Sequence, residues 1–266
     1  MVIIFCLFLS YSCTSQEDKL FEATKSVNID EVNELVKSGA DVNCSDTTGQ
    51  NPLHHACYLG HLGIAKILID NGAKINQRVS DLQLTPLHGA TMNGDPKLVA
   101  FLVENGADIH AKDSEGATPL LAACWIGALD TVKYLVSNGA HLDIETNYGA
   151  TPLHCACQSS NLGLVRFLIK NGCKINVQSL NGSTPLHLAA ALGNLPIVRE
   201  LIINGADQKY RLTQDSEQNF CLKAPALEDD DIIQINLSKG QSALDIAIAK
   251  KHKEIINLLK NAEHQL

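Results

Sequence analysis

The sequence predicts an all-α solenoid, in which short helix-turn-helix units repeat along the chain and stack on one another. The tetrapeptide Thr-Pro-Leu-His, or a close variant, recurs every 33 or 34 residues, beginning at positions 51, 85, 118, 151 and 184. A Gly-Ala pair recurs in phase with it, beginning at positions 39, 72, 106, 139 and 205, with Gly-Cys at 172. Two motifs that keep one period of this length are typical of a solenoid.

A single repeat, residues 181–207, shows how each unit is expected to fold. Gly182 permits a positive φ in a turn, and Thr184 can cap the helix that follows. Pro185 suits the first helical position, where its missing N–H is no loss. Apolar residues then mark two short helices, and a glycine ends each of them. Two such helices cannot bury their apolar faces alone, so the units must stack.

The quoted residues closely resemble the ankyrin repeat family, over residues 18–210 and again over 237–266. The resemblance implies a stack of helix-turn-helix units with projecting β-turns, here called fingers. It also implies a scaffold that binds other proteins through a concave face, which the finger tips and the exposed ends of the first helices line. The low aromatic content, 5% against 45% hydrophobic residues, suits short and closely stacked helices.

The period predicts about seven units, including two terminal caps. The predicted boundaries are an N-terminal cap at 18–44, repeats at 45–78, 79–111, 112–144, 145–177 and 178–210, and a C-terminal cap at 237–266. Both caps carry many charged residues on their outer faces. The terminal units of a solenoid need such a polar face, because no further unit covers them. The repeat at 45–78 carries one extra residue near position 78, which a finger can accommodate.

The period breaks between the last two units. From Thr184 to Ser242 is 58 residues, 25 more than one repeat, and the predicted insertion occupies 211–236. It contains the acidic run Glu228–Asp231. Because it falls in a finger, we expect the stacked helices to remain intact. One interpretation is a solvated loop, and the other is an acidic flap that contacts a basic partner.

The N-terminal segment 1–17 resembles a bacterial lipoprotein signal. Residues 2–9 are apolar but too few to span a bilayer, and small residues then precede Cys13 and a polar tether. The resemblance implies export, lipidation of Cys13 and tethering to a membrane through that lipid alone. The absence of Lys or Arg before the apolar run departs from the signal pattern. The alternatives are an apolar tail that packs on the first unit and a cytoplasmic protein.

The repeated histidines, at positions 54, 88, 154 and 187, are predicted to be structural. Their spacing distributes them along the stack, where neighbouring units lie about 10 Å apart, too far for one metal ion. In the ankyrin family this histidine ties adjacent turns together by hydrogen bonds. Cys155 and Cys157 point to different sides of one helix, so they are interpreted as small buried residues.

The sequence contains no signal for catalysis or for nucleic-acid binding. It has no nucleophile motif, phosphate-binding glycine loop or zinc spacing, so we expect neither an enzyme nor a cofactor. The net charge of −8, without a basic stripe, argues against nucleic acid as the partner. The repeats use nearly the whole chain and leave no length for a catalytic domain.

The expected function is non-catalytic binding of another protein by a monomer, with Trp125 as the central anchor. Apolar residues at positions that the fold leaves exposed mark this surface. The candidate partner-binding residues are Tyr58, Leu59, Leu82, Leu84, Met92, Trp125, Ile126 and Tyr148. Leu59 and Ile126 are equally compatible with packing between neighbouring first helices.

Two more specific functions remain open from the sequence. The first, by analogy with the family, is that of a bacterial surface or secreted protein that binds partners in a host. The alternative is an accessory, protective or inhibitory subunit of a periplasmic enzyme.

Overall fold

A computed structural model of the protein describes residues 15–79, 81–215 and 237–263. Within these ranges all regular structure is helical apart from one bridge residue, Leu237, which confirms the predicted all-α class. No helix in them is both long and apolar enough to cross a bilayer. The helices in chain order are α1 (Gln16–Lys25), α2 (Ile29–Lys37), α3 (Pro52–Tyr58), α4 (Leu62–Asp70), α5 (Pro86–Asn93), α6 (Pro96–Glu104), α7 (Pro119–Ile126), α8 (Leu129–Ser137), α9 (Pro152–Gln158), α10 (Leu162–Lys170), α11 (Pro185–Ala191), α12 (Leu195–Ile203), α13 (Ala243–Ala249) and α14 (Lys253–Glu263).

The helices form two layers. Each odd-numbered helix, here called an inner helix, packs against the next inner helix and against the even-numbered outer helix that follows it. One leucine and one alanine of each central inner helix are buried: Leu53, Ala56, Leu87, Ala90, Leu120, Ala123, Leu153, Ala156, Leu186 and Ala189. Burial of each leucine contributes about 2 kcal/mol of hydrophobic stabilisation. The small alanines let successive inner helices approach closely, so one core runs through all the units.

The repeated histidine joins its own unit to the next one. In α9, the backbone N–H of Thr151 donates to Nδ1 of His154 over 3.2 Å. Nε2 therefore carries the ring proton, and it donates to the backbone carbonyl of Ser183 in the next unit over 3.0 Å. Nε2 of His88 lies 3.2 Å from the carbonyl of Ala117 in the same arrangement. The hydrogen bonds between adjacent turns that the resemblance implied are present for His54, His88 and His154.

Burial keeps these histidines uncharged. His54, His88, His154 and His187 are at most 4% exposed, and burial lowers the pKa of each to about 4. A neutral imidazole can accept at one nitrogen and donate at the other, and both bonds of the inter-unit link need that form. Leu121 occupies the equivalent position in α7, so the fold also tolerates an apolar side chain there.

The fingers are joined edge to edge by backbone hydrogen bonds. Each of these bonds runs from an N–H of one finger to a carbonyl of the preceding finger: Ser114 to Leu82 (2.9 Å), Asn147 to Glu115 (2.8 Å), Leu180 to Tyr148 (2.9 Å) and Thr213 to Asn181 (2.8 Å). This ladder fixes the positions of the finger tips relative to the inner helices.

The break in the period lies inside the last finger. The N–H of Leu212 donates to the carbonyl of Gln241 over 3.0 Å, as in the closure of the uninterrupted fingers. Leu212 is buried, and Arg211 forms an ion pair with Asp245 at 3.0 Å. Residues 211 and 212 therefore belong to the stack, although the sequence placed them in the insertion. Residues 213–215 are also described, and the N–H of Thr213 bonds to the preceding finger, whereas 216–236 lie outside the described residues.

The first helix begins earlier than the predicted boundary. The Ser15 hydroxyl accepts from the N–H of Asp18, and the Asp18 carboxylate accepts from the N–H of Ser15, each over 3.0 Å. This capping box starts α1 at Gln16, so residues 15–17 belong to the first unit rather than to a tether. Cys13 and the predicted signal before it lie outside the described residues.

The buried histidines predict a loss of stability on acidification. Each folded-state pKa lies below the usual 6.5, so the stabilisation is complete above pH 6.5 and is lost as the pH falls towards about 4. We expect His154→Leu to cost about 1–2 kcal/mol at pH 7.5, because the Thr151 N–H and the Ser183 carbonyl lose their partner. Between pH 7.5 and pH 5 the variant should lose about 2 kcal/mol less than the wild type.

Urea unfolding at the two pH values measures this difference. Leu153→Ala serves as the control, because it removes core volume without removing a titrating group and should lower stability equally at both pH values. An identical pH dependence in His154→Leu and the wild type would contradict the neutral, buried state of His154.

The position of the insertion predicts that residues 216–236 are dispensable for folding. Their replacement by two glycines keeps Leu212 and Leu237, both buried, and the 2.7 Å bond from the Lys239 N–H to the Asp215 carboxylate. The thermal midpoint should change by less than about 4 °C, the effect of about 1 kcal/mol. In contrast, Leu237→Ala in the full chain should lower it by more than about 6 °C. Circular dichroism measures both, and a large loss of helicity in the deletion variant would contradict the prediction.

Candidate protein-interaction surface

A groove of about 320 Å³ lies on the predicted concave face, between finger 79–84 and the inner helices α1, α3 and α5. It brings together five of the eight residues predicted to bind a partner: Tyr58, Leu59, Leu82, Leu84 and Met92. Its lining also includes Lys25, Gln50, His54, His55, Val79, Thr85 and Gly89. We call this feature the Tyr58 groove.

The finger of this groove differs from the others in length and in polarity. Finger 113–117 is closed by a bond between residues four apart and by the Asp113 carboxylate, which accepts from two N–H groups within the finger. In the finger of the groove, Val79 replaces that polar residue, and its N–H donates to the carbonyl of Leu84, five residues on. The extra residue of the second repeat therefore lies here. The finger carries the polar Asp81 and Gln83, but the three of its residues that line the groove, Val79, Leu82 and Leu84, are apolar.

On the helix side, the lining of the groove includes Gly89, where α3 and α5 approach each other closely. Gly89 in α5 is equivalent to Ala122, Cys155 and Leu188 in later inner helices. A Cβ at Gly89 would lie 3.2 Å from the backbone nitrogen of Tyr58, which is tighter than ordinary contact. The glycine thus lets the backbone of α3 at Tyr58 approach α5 closely.

A partly buried hydrogen-bonded pair, His55 and Asp46, lies at the first-unit side of the groove. Nε2 of His55 lies 2.7 Å from the carboxylate of Asp46, and the His55 ring meets Phe21 edge to face at 5.5 Å. Burial acts to raise the pKa of Asp46, but hydrogen bonds from Thr48 and His55 outweigh it and lower that pKa to about 2. The carboxylate is therefore ionised and fully engaged. Lys25 lies in the same region with an exposed side chain.

The other three predicted residues lie further along the stack. Trp125 is partly buried and packs against the core, so it contributes to stacking as well as to the surface. Ile126 is 36% exposed, but its Cδ1 lies beside Gly94 of the preceding unit. Tyr148 is 38% exposed at a finger tip, where a hydrogen bond with Glu115 raises its pKa. The structure does not bring these three into the Tyr58 groove.

Sequence reasoning missed Lys25, Val79 and Gly89 as parts of the groove. Two of them had a signal in the repeat alignment, because Val79 replaces a polar finger residue and Gly89 is the smallest residue at its position. Lys25 had no such signal, since charged residues in a terminal cap are expected on its solvated face.

The candidate metal ligands of the sequence are not gathered into a site. In the ranges that the structure covers, no group of three or more His, Cys, Asp or Glu residues could hold a metal ion. Cys155 and Cys157 are fully buried, and burial raises the pKa of Cys157 above its usual range. The described cysteines form no disulfide. Their interpretation as small core residues agrees with this burial.

Comparison with known proteins finds short stretches of similarity to three proteins. A stretch of 54 residues is 50% identical to protein phosphatase 1 regulatory subunit 27 of Mus musculus, covering 20% of this chain and 35% of that protein. A stretch of 63 residues is 35% identical to the 2-5A-dependent ribonuclease of Mus musculus, covering 23% of this chain and 9% of that protein. A stretch of 66 residues is 38% identical to the neurogenic locus Notch protein of Drosophila melanogaster, covering 24% and 2%. This chain therefore matches about a third or less of each relative.

Solved structures and family models give longer matches. The crystal structure of the human ASB11 ankyrin repeat domain superposes with a TM-score of 0.73 at 28% sequence identity, covering 90% of this chain and 96% of that one. The family model for ankyrin repeats, which spans three copies, matches residues 20–113, 87–179, 120–212 and 165–266. These overlapping matches extend over nearly all of the chain. The protein belongs to the ankyrin repeat family.

Proposed function

We propose that this protein is a non-catalytic, monomeric interaction scaffold that binds a partner protein in the N-terminal half of its concave face. The observation that carries the proposal is the Tyr58 groove, where the apolar residues Val79, Leu82 and Leu84 of one finger lie beside inner helices α3 and α5. Concave apolar surfaces of this kind are where partner side chains lose contact with water.

The chemistry of the described residues supports binding over catalysis. The buried histidines use both ring nitrogens within the fold or lie closed off in the core, so they are not presented to a substrate. The net charge of −8 disfavours nucleic acid as the partner. Protein binding therefore remains the function that accounts for the exposed apolar residues.

The exposed ends of the inner helices indicate which half of the concave face is used. In α3, α5 and α7 these positions carry large apolar residues, including Tyr58, Met92 and Trp125. In α9 and α11 the equivalent positions carry Gln158 and Ala191. Large aromatic and apolar residues dominate the energetics of protein interfaces, so we place the centre of the interface on the first three of these helices.

Site-specific photo-crosslinking tests this placement. A benzophenone amino acid at Leu59, 39% exposed in the groove, should yield an adduct with one discrete protein in native cells. The control position is Ile203, 73% exposed on outer helix α12, which should give no adduct with that protein. With the purified partner, Tyr58→Ala should weaken binding about 30-fold, equivalent to about 2 kcal/mol.

Trp125→Ala distinguishes the two candidate anchors. Because Trp125 packs on the core, we expect this substitution to lower the unfolding free energy as well as the affinity. Adducts formed equally at Leu59 and Ile203, or unchanged affinity in both alanine variants, would contradict the proposal.

Export and lipidation of Cys13 are part of the proposal, with a cytoplasmic protein as the alternative. The support is the apolar stretch at 2–9 followed by small residues and a cysteine. Mass spectrometry of the mature N-terminus should find a lipidated Cys13 as its first residue. Cys13→Ala should leave an unmodified protein in the soluble fraction. An intact Met1 on cytosolic protein would contradict both export and lipidation.

A second candidate function is that of an accessory, protective or inhibitory subunit of an enzyme, in the periplasm if the chain is exported. It is supported by the 50% identity over 54 residues to a protein named as a phosphatase regulatory subunit. If the crosslinked partner is an enzyme, its turnover should change when the wild type is added. Tyr58→Ala should then require about 30-fold more protein for the same effect.

A further inference from the structure

We infer that the Tyr58 groove recognises a partner segment in which a large apolar side chain lies about three residues from an aspartate or glutamate. The inference rests on the proposed function, because it specifies the chemistry of the partner that the concave face binds. The apolar residue would enter the groove between Tyr58, Leu82 and Met92, and the carboxylate would meet Lys25.

The apolar half of the inference follows from the walls of the groove. Leu82 and Leu84 of the finger line one side of the groove. The side chains of Tyr58 and Met92 line the other side, together with Gly89, which has no side chain. The volume of about 320 Å³ can hold a leucine, methionine or phenylalanine side chain together with part of its backbone. Burial of one such side chain is the usual basis of an interface hot spot.

The acidic half follows from the charges around the groove. Among the described residues that line the groove, none is an aspartate or a glutamate. Apart from the two histidines, Lys25 is the only basic residue among them. Asp46 is not among the lining residues, and its oxygens are hydrogen-bonded to His55, to the N–H of Thr48 and to the N–H of Gln50. This carboxylate is therefore already engaged within the protein.

Lys25 itself is weakly engaged. Its ammonium lies 3.7 Å from Glu22, whose side chain is 79% exposed, and such a surface pair contributes little to stability. A partner carboxylate in a partly desolvated groove can compete for this ammonium.

The arrangement of helices sets the spacing between the two features. Lys25 is on α1, whereas the apolar space lies over α3 and α5. Neighbouring inner helices lie about 10 Å apart, and an extended chain covers that distance in about three residues. We therefore expect the acidic residue two to four positions from the apolar one.

Selection of a random dodecapeptide phage library against the full-length protein tests the inference directly. The enriched peptides should share a Leu, Met or Phe with an Asp or Glu two to four positions away. Synthetic peptides from the selection would then be measured by fluorescence anisotropy against the wild type and four variants.

The variants form two matched pairs. Leu82→Ala should weaken peptide binding at least 10-fold, whereas Leu180→Ala, at a finger tip outside the groove and 66% exposed, should leave it unchanged. Lys25→Glu should weaken binding about 10-fold and reverse the preference towards a peptide with Lys in place of the acidic residue. Lys37→Glu, an equally exposed position on outer helix α2, should have no effect.

The outcomes separate this inference from the proposed function. Peptides that depend on Leu82 but show no acidic preference, or that bind Lys25→Glu equally well, would overturn the inference and leave the scaffold function standing. Peptides insensitive to Leu82→Ala, or no enrichment at all, would overturn recognition in the Tyr58 groove. In that case a photo-crosslinked partner that loses affinity with Trp125→Ala would still support the scaffold.

Discussion

The fold depends on the inability of any one unit to bury its apolar face alone. Each inner helix is only about two turns long, and its leucine and alanine become buried only when the next inner helix covers them. The repeated histidine joins each unit to the one that follows it. In α9, Nδ1 of His154 accepts from the Thr151 N–H at the cap of its own helix, and Nε2 donates to the Ser183 carbonyl of the next unit. Stability and spacing are thus properties of neighbouring pairs of units.

This constraint leaves the fingers free to vary. The finger ladder uses backbone groups, so the side chains of a finger can change while its bonds persist. The last finger is closed by Leu212 and Gln241 although its two ends are separated by the insertion. The finger of the Tyr58 groove is one residue longer, and its lining residues are apolar. Both departures from the repeat occur where the stack does not depend on the side chain, and there a repeat protein can acquire a binding surface.

The same constraint determines which residues are available for function. The four repeated histidines and Cys57, Cys124, Cys155 and Cys157 are enclosed in the core by packing and capping, so these side chains are not presented to a partner. The side chains that line the Tyr58 groove lie instead at helix ends and at a finger, where a partner can reach them. Their combination of apolar walls with a single ammonium is suited to recognition of another chain.

The sequence by itself determined the fold class, the period, the structural role of the histidines and the location of the insertion within a finger. These follow from local rules, since capping residues, glycines and apolar spacing act within a few residues of one another. It also identified five of the groove residues as exposed and apolar, because the repeat alignment shows which positions the core does not need.

Only the tertiary structure decided which exposed residues lie together. Tyr58, Leu82 and Met92 belong to three different elements. They meet where α3 and α5 approach closely at Gly89 and where the longer finger begins at Val79. Trp125, the most conspicuous residue in the sequence, is partly used by the stack instead. Distances between units depend on how side chains pack across helices, and a one-dimensional pattern does not contain that information.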